Sequence, residues 1–351
     1  MNTLIVPCAG KSNRFPNMKP KWLLTHPDGS LMIQKAISGL NLDCFDRIII
    51  TIVKPHCEKY EADIILKQVF DNNKFEICIL DDFTQSASET IYLTLEKMKV
   101  KGAFVVKDSD NKVDIRFEKN IGNSIVGYDL QEHPNISNIP GKSFLLVNEK
   151  NLIEDIIEKR VVSSTICLGV YAFSDVELFK NTYLELLDKN IKGEIFISHV
   201  ISYILSKNKE IFVCKMADNY EDWGTLNEWK EVQKSFRTYF VDVDGVLLRN
   251  CGKYGSKNWS NNNELLEENI ETIKTLQQKG AQIIITTSRT EEYRESLEEL
   301  FSKNGIKPYA ILMGMNHAAR VVINDFAPTN PYPSGIAITI PRNASIKDYL
   351  N

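Results

Sequence analysis

The chain has 351 residues, more than one hydrophobic core usually organises, so its length predicts two domains. Hydrophobic residues make up 43% and charged residues 25%, which is typical of a folded globular protein and excludes long disordered regions. The 42 basic and 46 acidic residues are interspersed and give a net charge of −4, so no nucleic-acid partner is expected.

Cysteine usage and the first residues indicate the compartment. The seven cysteines are scattered without a C-x-x-C pair, and free thiols in a reducing cytoplasm are the simplest explanation. The first apolar run, Leu4 to Pro7, is too short for a signal peptide or a membrane span. We therefore expect a cytoplasmic protein without membrane insertion, and the sequence leaves homo-oligomer formation open.

Apolar runs alternate with helix-like segments along the whole chain, for example "RIIITIV" followed by "EKYEADIILKQVF". This alternation predicts an α/β fold in which each domain is a mainly parallel sheet flanked by helices. A second alternating series begins after the helix-like run "TLNEWKEVQKSF", and its strands are expected at "TYFVDVD", "AQIIITTS", "YAILM" and "RVVIND". We therefore predict domains at residues 1–236 and 237–351.

The segment "LIVPCAGKSNRFPNMKPKWLL", residues 4–24, is a strand followed by a basic loop. Gly10 allows backbone N–H groups to approach a phosphate, and Lys11, Arg14 and Lys21 neutralise negative charge. These features predict a site for a nucleoside triphosphate. A solvated turn that is basic by chance is the alternative.

Three aspartates stand where predicted strands end. Asp108 and Asp110 follow the strand in "VVKDSDN", and Asp222 lies in "YEDWGT" before a helix. Carboxylates that face one site suit Mg²⁺. Asp222 is alternatively a helix cap.

With these motifs, residues 1 to about 235 resemble the nucleotidyltransferases that make activated sugars, whose fold is similar to that of GT-A glycosyltransferases. The matching segments are "PCAGKSNRF", "PK" at residues 20–21, "TQSASET" at 84–90, "KDSD" and "DWGT". The resemblance implies that Gly10, Lys11, Arg14 and Lys21 hold the triphosphate, that Gln85, Ser86 and Ser88 lie near the base, and that Asp108 or Asp110 binds Mg²⁺ with Asp222. The loop departs from the commonest G-x-G-x-R form at Ser12 and Asn13.

In this chemistry the phosphate of the acceptor attacks the α-phosphorus of the triphosphate, and pyrophosphate leaves. Positioning and charge neutralisation by Lys21, Arg14 and a metal suffice, without a protein nucleophile. The resemblance places the acceptor against "GKS" at 141–143, "EK" at 158–159, "GVY" at 169–171 and "GEIFIS" at 193–198. A solvated helix face is the alternative for Glu158 and Lys159.

A second loop begins in "RTYFVDVDGVLLRN", residues 237–250, where Asp242 and Asp244 follow a predicted buried strand. Two aspartates spaced two apart on an ordinary strand point the same way and repel each other. A structural role alone is therefore a poor explanation, and a catalytic loop is expected.

The segments "DVDGVLL", "IIITTSR" and "VVINDF" resemble, in this order, motifs of the haloacid dehalogenase-like phosphatases. The resemblance implies that Asp242 is the nucleophile, that Asp244 is the general acid and base, and that Thr287 holds the phosphoryl group. Asp325 is expected to complete a Mg²⁺ site with Asp242 and the backbone of Asp244. Arg320 is the first choice for the basic residue, and Lys307 the second.

Roughly 40 residues separate the first two of these motifs, too few for a cap domain, so a capless, haloacid dehalogenase-like Rossmannoid fold is expected. The whole chain is then a bifunctional enzyme, a sugar- or polyol-phosphate nucleotidyltransferase fused to a phosphatase, with CTP as the preferred donor. The fusion favours synthesis of an activated sugar or alditol for a capsule or surface polysaccharide. The alternatives are a GT-A glycosyltransferase fused to a phosphatase, and a phosphatase regulated by a non-catalytic nucleotide-binding domain.

Overall fold

The computed structural model describes residues 1–132, 136, 139–189, 193–208, 211–253, 255–259, 264–325 and 334–350. The chain divides into two compact units, Met1–Trp229 and Lys230–Asn351. Within the described ranges, the structure contains no helix long and apolar enough to cross a membrane.

The first unit is built on one large, mainly parallel sheet. Its strands are β1 (Asn2–Pro7), β2 (Arg47–Val53), β3 (Phe75–Leu80), β4 (Ala103–Lys107), β5 (Asn111–Asp114), β6 (Ser124–Asp129), β7 (Ser143–Val147), β8 (Ile153–Glu158), β9 (Thr165–Phe173), β10 (Val213–Met216) and β11 (Asn219–Asp222). The main sheet has the order β10-β6-β9-β4-β1-β2-β3, and β7 and β8 join it beside β9. Strand β9 runs antiparallel to β4 and β6, and β5 pairs with β11 in a separate ribbon.

Helices cover the large sheet. They are α1 (Met32–Ser38), α2 (Lys54–Tyr60), α3 (Ala62–Val69), α4 (Ala87–Lys97), α5 (Val176–Asp188) and α6 (Ile197–Lys207). The next helix, α7 (Leu226–Ser235), begins in the first unit and ends in the second. Two hydrophobic clusters, one containing Ile5 and Phe104 and the other Val6 and Val105, use alternate residues of the same strands. Because successive strand residues point to opposite faces, the two clusters are the cores on the two sides of the sheet.

The central strands read as continuous apolar runs because both of their faces are covered. In β2 every residue from Ile48 to Val53 is buried, including Thr51. Strands β1 and β4 are parallel neighbours, so the loops that follow them leave the same edge of the sheet. This edge positions the candidate site of the first unit.

The second unit contains a smaller parallel sheet with the order β12-β13-β14. Its elements are β12 (Thr238–Asp242), α8 (Ser256–Trp259), α9 (Glu267–Gln278), β13 (Gln282–Thr286), α10 (Arg294–Lys303) and β14 (Ala310–Leu312). A core that includes Val241, Ile273, Ile285 and Phe301 joins the sheet to the helices.

The predicted α/β fold is confirmed, with one correction in the second unit. The segment "RVVIND", residues 320–325, was expected as a strand but is irregular and exposed, and Ile323 is 93% accessible. Its apolar run resembles a buried strand locally, yet the sheet that the structure describes ends at β14.

Candidate functional site

A cleft of about 850 Å³ in the first unit includes the loops that follow β1 and β4. The predicted residues that line it are Gly10, Lys11, Arg14, Lys21, Gln85, Ser86, Asp108, Asp110 and Asp222. Side chains distant in the sequence are thus brought to one sheet edge, as expected for the carboxyl ends of parallel strands.

The loop after β1 bends without a second glycine. Ser12, at the position where the sequence departs from the commonest motif, has the left-handed backbone conformation, with φ of 52°. Its hydroxyl accepts a hydrogen bond from the Lys21 N–H at 3.3 Å, and its carbonyl accepts one from the Phe15 N–H at 2.8 Å. These contacts place the basic side chains of the loop along the cleft.

Asp110 is the acidic partner of this basic loop. Lys21 donates a hydrogen bond to its carboxylate, and the Arg14 guanidinium lies 3.6 Å from the same oxygen. Burial alone raises the pKa of Asp110, but the charges of Lys21 and Arg14 outweigh burial and hold the pKa below its ordinary value. Asp110 therefore presents an ionised carboxylate to the cleft.

Asp222, at the end of β11, forms an ion pair with a second lysine of the cleft, Lys142. Its carboxylate accepts hydrogen bonds from Lys142 and, at 3.0 Å, from the Gly224 N–H. The cap of α7 is Thr225, which exchanges hydrogen bonds with Glu228 in a capping box. Asp222 is therefore not used as the helix cap.

Gly224 keeps space between the two carboxylates. A Cβ atom at this position would lie 3.2 Å from Oδ2 of Asp110 and 3.2 Å from Oδ1 of Asp222. Mg²⁺ in proteins is commonly held by one or two carboxylates together with water and substrate phosphates, so the pair fits this ion. Among the described residues, no group of three or more Asp, Glu, His or Cys side chains is arranged to hold a metal.

Asp108 occupies a different place from Asp110. Its carboxylate packs against Gly169, where a Cβ atom would lie 2.1 Å from Oδ2, and Gly169 has φ of +68°. Burial and the neighbouring charge of Asp110 raise the pKa of Asp108 to about 6. The pKa values of the two acidic residues of "DSD" are thus shifted in opposite directions, that of Asp108 upward and that of Asp110 downward.

Lys107, which sequence reasoning missed, holds the loop at residues 108–111 by hydrogen bonds to its backbone. Its side chain is fully buried and donates hydrogen bonds to the carbonyls of Asp108 at 2.7 Å and Asn111 at 2.8 Å. Burial lowers its pKa to about 8. The available signal was a lysine at the end of the apolar run "AFVVK", where a hydrophobic residue is usual.

On the side predicted for the base, Gln85 and Ser86 line the cleft, and the Ser86 hydroxyl caps α4 by accepting the Glu89 N–H at 3.1 Å. Ser88 does not line the cleft. It lies within the first turn of α4 and is fully buried, so its predicted place beside the base is wrong.

Threonine side chains connect this loop to the sheet. The hydroxyl groups of Thr84 and Thr90 are 2.6 Å apart, and Thr94 donates to the Thr90 carbonyl at 2.6 Å. The hydroxyl groups of Thr94 and Thr51 are 2.7 Å apart, which joins α4 to β2. A continuous polar chain thus runs from the cleft into the core.

The wall predicted for the acceptor carries paired hydroxyl and carboxylate groups. Ser143 and Ser198 donate to Oε2 of Glu158 at 2.5 and 2.8 Å. The Lys159 ammonium lies 4.2 Å from the centre of the Phe196 ring. All five residues line the cleft, which offers a carboxylate and a cation to a hydroxylated phosphate ester.

Two cysteines line the same cleft, Cys8 and Cys167. Burial raises the pKa of each thiol to about 12. Since the thiolate is the nucleophilic form, neither is suited to covalent catalysis at neutral pH.

In the second unit, Asp242 ends β12 and Asp244 lies in a tight turn. Gly245 has φ of +93°, and the turn closes with a 2.7 Å hydrogen bond from its N–H to the Leu248 carbonyl. Desolvation raises the pKa of Asp242, and the charge of Asp244 adds to it. Asn269, which is 1% exposed, donates to the carbonyl of Val246 at 2.7 Å and so fixes the turn.

Arg289 is the main residue of this site that sequence reasoning missed. It is 1% exposed and donates two hydrogen bonds to Asp244, from Nε at 3.0 Å and from a terminal nitrogen at 2.7 Å. Asn258 donates to the same carboxylate at 3.1 Å. The signal was the position of Arg289 two residues after Thr287, in "TTSR", but the sequence alone did not reveal that it points to Asp244.

Thr287 follows β13 directly, and Asp242 pairs with the preceding residue, Thr286, so both lie at the carboxyl edge of the sheet. Arg320 follows β14, and its charge lowers the pKa of Asp242 against the effect of desolvation. Lys307 precedes β14 and contacts the end of α9 through Gln277, so it lies at the opposite edge. Arg320 is therefore retained over Lys307 as the predicted basic residue.

Asp325 is exposed, and its contacts are local. Its N–H donates to the Asn324 side chain at 3.0 Å, and its carbonyl accepts from the Ser334 hydroxyl at 2.7 Å. Within the described ranges, no hydrogen bond or ion pair connects Asp325 to Asp242. Its role as a metal ligand stays a prediction.

Comparison with known proteins identifies the second region. Residues 239–317 match the sequence profile of the haloacid dehalogenase-like hydrolases. The matched segment contains Asp242, Asp244, Thr287 and Arg289 and ends before Arg320. The predicted haloacid dehalogenase-like character of this region is thereby confirmed. Curated protein sequences give no match to the chain.

Solved structures resemble the N-terminal part. A nucleoside-diphosphate-sugar pyrophosphorylase from Vibrio cholerae matches with a TM-score of 0.54 and 17% identity, over 65% of this chain and 98% of that protein. The inositol-1-phosphate CTP transferase from T. maritima matches with a TM-score of 0.51 and 14% identity, over 66% of this chain and 95% of that protein. The first unit therefore has the predicted nucleotidyltransferase fold.

Proposed function

We propose that the chain is a bifunctional enzyme. The first unit transfers a nucleotidyl group from a nucleoside triphosphate to a sugar or polyol phosphate and releases pyrophosphate. The second unit hydrolyses a phosphomonoester of a related intermediate. The observation that carries the first activity is the pair of carboxylates beside Gly224, Asp110 and Asp222, set between a basic loop and a wall of hydroxyl and carboxylate groups.

In the transfer step, an oxygen of the acceptor phosphate forms a bond to the α-phosphorus while the bond to the pyrophosphate oxygen breaks. Lys21 and Arg14 neutralise the charge that collects on the leaving pyrophosphate. Asp110 and Asp222 would hold Mg²⁺, which supplies further charge neutralisation on the phosphate oxygens. The buried thiols of the cleft support direct transfer without a covalent enzyme intermediate.

Glu158 and Lys159 support an acceptor that carries both hydroxyl groups and a phosphate. Ser143 and Ser198 donate to Oε2 of Glu158, and the Lys159 ammonium lies 3.9 Å from Oε1, so a substrate hydroxyl that donates to Oε1 would share this oxygen with Lys159. CTP is the proposed donor, in keeping with the inositol-1-phosphate CTP transferase among the similar folds. The proposed product is an activated sugar or alditol for a capsule or surface polysaccharide.

In the second unit, Asp242 attacks phosphorus and forms an aspartyl-phosphate while the ester oxygen leaves. Asp244 is the proposed donor of the proton to that oxygen and later the base that activates water. Arg289 and Asn258 hold its carboxylate in a fixed orientation. Thr287 is the proposed hydroxyl contact to the transferring phosphoryl group, and Asp325 is the proposed further Mg²⁺ ligand.

The separation of Asp108 from Asp110 favours nucleotidyl transfer over a GT-A glycosyltransferase reaction. A D-x-D metal site would use both acidic residues of "DSD". Here Asp108 packs against Gly169, whereas Asp110 pairs with Lys21. A lysine and an arginine on one carboxylate suit a triphosphate whose pyrophosphate departs.

The decisive experiment measures pyrophosphate release by Asp242→Asn protein, in which hydrolysis of the acceptor is blocked. Four nucleoside triphosphates are tested against a panel of sugar and alditol phosphates with Mg²⁺. Release that requires one donor and one acceptor supports the proposal and names both substrates. Saturable nucleotide binding without release across the panel overturns the transferase and favours a nucleotide-regulated phosphatase.

A further inference from the structure

Lys142 makes the second ion pair of the first cleft, and it belongs to the acceptor wall. It directly precedes β7, and its carbonyl accepts a hydrogen bond from the Lys159 N–H at 3.1 Å. Its side chain crosses to Asp222 at the end of β11, where the two side chains are 13% and 10% exposed. A cation from the acceptor wall thus rests on a carboxylate of the pair that fits Mg²⁺.

Tyr220 stabilises this position of Lys142. Its hydroxyl accepts a hydrogen bond from the lysine ammonium at 2.9 Å, and its ring centre lies 5.4 Å from the same nitrogen. The resting place of Lys142 is therefore specific and not a chance contact of a mobile side chain.

Both carboxylates beside Gly224 are thus paired with lysines that come from different walls. Lys21, from the triphosphate loop, pairs with Asp110, and Lys142 pairs with Asp222. A divalent cation that binds between these carboxylates repels both ammonium groups. A lysine side chain is a point charge on a flexible stem and can move to another anion.

We propose that Lys142 holds Asp222 before substrates bind and contacts the phosphate of the acceptor once a divalent cation has taken Asp222. The lysine would then link metal binding to acceptor binding. This inference rests on the proposed nucleotidyl transfer for its second half, because only that reaction brings an acceptor phosphate into the cleft. Its first half concerns the protein and a metal ion alone.

The first half is tested by measuring Mn²⁺ binding without nucleotide or acceptor, by electron paramagnetic resonance. Removal of the competing cation in Lys142→Met is expected to tighten Mn²⁺ binding about fivefold or more. The control is Lys112→Met, because Lys112 pairs with Asp114 at 3.3 Å and with Glu221 at 3.8 Å but does not line the cleft. Unchanged or weaker Mn²⁺ binding by Lys142→Met overturns the inference.

The second half is tested by steady-state kinetics of Lys142→Met with the substrates found in the pyrophosphate screen. The KM for the acceptor is expected to rise about tenfold or more, with the KM for the triphosphate within about twofold, because one charge-assisted contact is lost. An equal rise of both KM values, or a rise for the triphosphate alone, contradicts the acceptor contact.

Folding and the proposed function are controlled separately. Lys142→Gln keeps a polar side chain and is measured beside Lys142→Met, with thermal unfolding of both. If both variants unfold, Lys142 is structural and the inference fails. If no substrate pair is turned over, the proposed function fails while the Mn²⁺ result still decides whether Lys142 competes for Asp222.

Discussion

The two candidate sites hold their carboxylates in different ways. In the first unit, Asp110 and Asp222 pair with Lys21 and Lys142, flexible side chains that carry point charges. In the second unit, Asp244 pairs with Arg289, a planar fork that is 1% exposed and makes two hydrogen bonds. The first arrangement can be rearranged by ligands, whereas the second is fixed before any substrate arrives.

This difference fits the chemistry proposed for each unit. Nucleotidyl transfer assembles two anionic substrates and a cation, so the charged side chains of the cleft must exchange partners when the substrates and the cation bind. Hydrolysis through Asp242 needs one general acid and base in a constant orientation. Neutral amides, such as those of Asn258 and Asn269, reinforce the fixed site. Four changes test the contrast.

The largest effect is expected from Asp242→Asn, which removes the proposed nucleophile. Phosphate release from phosphomonoesters should fall roughly 10⁶-fold, the scale seen when a nucleophile is deleted. Nucleotidyl transfer should be unchanged within about twofold, because the residues proposed for it all belong to the first unit. Both activities are measured on one preparation. A matching fall in transfer would mean that the two reactions are not independent.

Lys21→Met should be next in size. The variant loses a charge that the transition state requires, so kcat for pyrophosphate release should fall about 10²- to 10³-fold. Lys19→Met, in the same loop but outside the cleft lining, is the matched control and should stay near the wild type. A loss of less than about tenfold in Lys21→Met would show that charge in this loop contributes little to transfer.

Arg289→Lys tests the fixed site. A lysine replaces two parallel hydrogen bonds by one, so Asp244 is less well oriented and hydrolysis should fall roughly tenfold to hundredfold. Arg249→Lys is the control, because Arg249 is exposed and pairs with Glu264 at 2.6 Å. If Arg289→Lys and Arg249→Lys lower hydrolysis equally and only slightly, the rigid guanidinium of Arg289 is not needed, and the contrast with the flexible lysines of the first unit does not hold.

The smallest expected effect is a pH dependence that originates in the first unit. Burial raises the pKa of Asp108 from 3.8 to about 6, so the stability that this carboxyl contributes is present below the unfolded value and lost as pH rises through 6. Asp108→Asn removes that loss. The free energy of unfolding of the variant, relative to wild type, should therefore increase by about 2 kcal/mol from about pH 4 to about pH 7.

The measurement for Asp108 is chemical unfolding in EDTA at several pH values, which keeps metal binding out of the comparison. A difference between Asp108→Asn and wild type that is constant with pH would show that this carboxyl has the same proton affinity in the folded and unfolded chain.

Sequence reasoning reached the features that short, ordered motifs define. The basic loop with Lys21, the loop with Asp108 and Asp110 and the second loop with Asp242 all follow the carboxyl ends of parallel strands. These positions follow from strand order and turn chemistry, which local sequence largely determines.

Contacts between segments that are distant in the sequence could not be predicted from it. Lys142 and Asp222 are paired across 80 residues, and Arg289 and Asp244 across 45, without a motif that joins them. The place of Ser88 was also beyond the sequence, because it depends on which face of α4 packs against the core. Ser88 lies in the first turn of α4 on the buried face. The segment at 320–325 was predicted as a strand because its apolar residues match the pattern of a buried strand. It is exposed, and among the described residues no neighbouring strand pairs with it.

The threonine chain from Thr84 to Thr51 bears on how donor preference can change. It anchors the segment that carries Gln85 and Ser86 to the central sheet through hydroxyl contacts of 2.6 to 2.7 Å. A frame anchored in this way keeps its backbone path when exposed side chains are replaced. If Gln85 contacts the base as predicted, base selectivity can be changed by exchanging functional groups on a constant backbone, without remodelling of the loop.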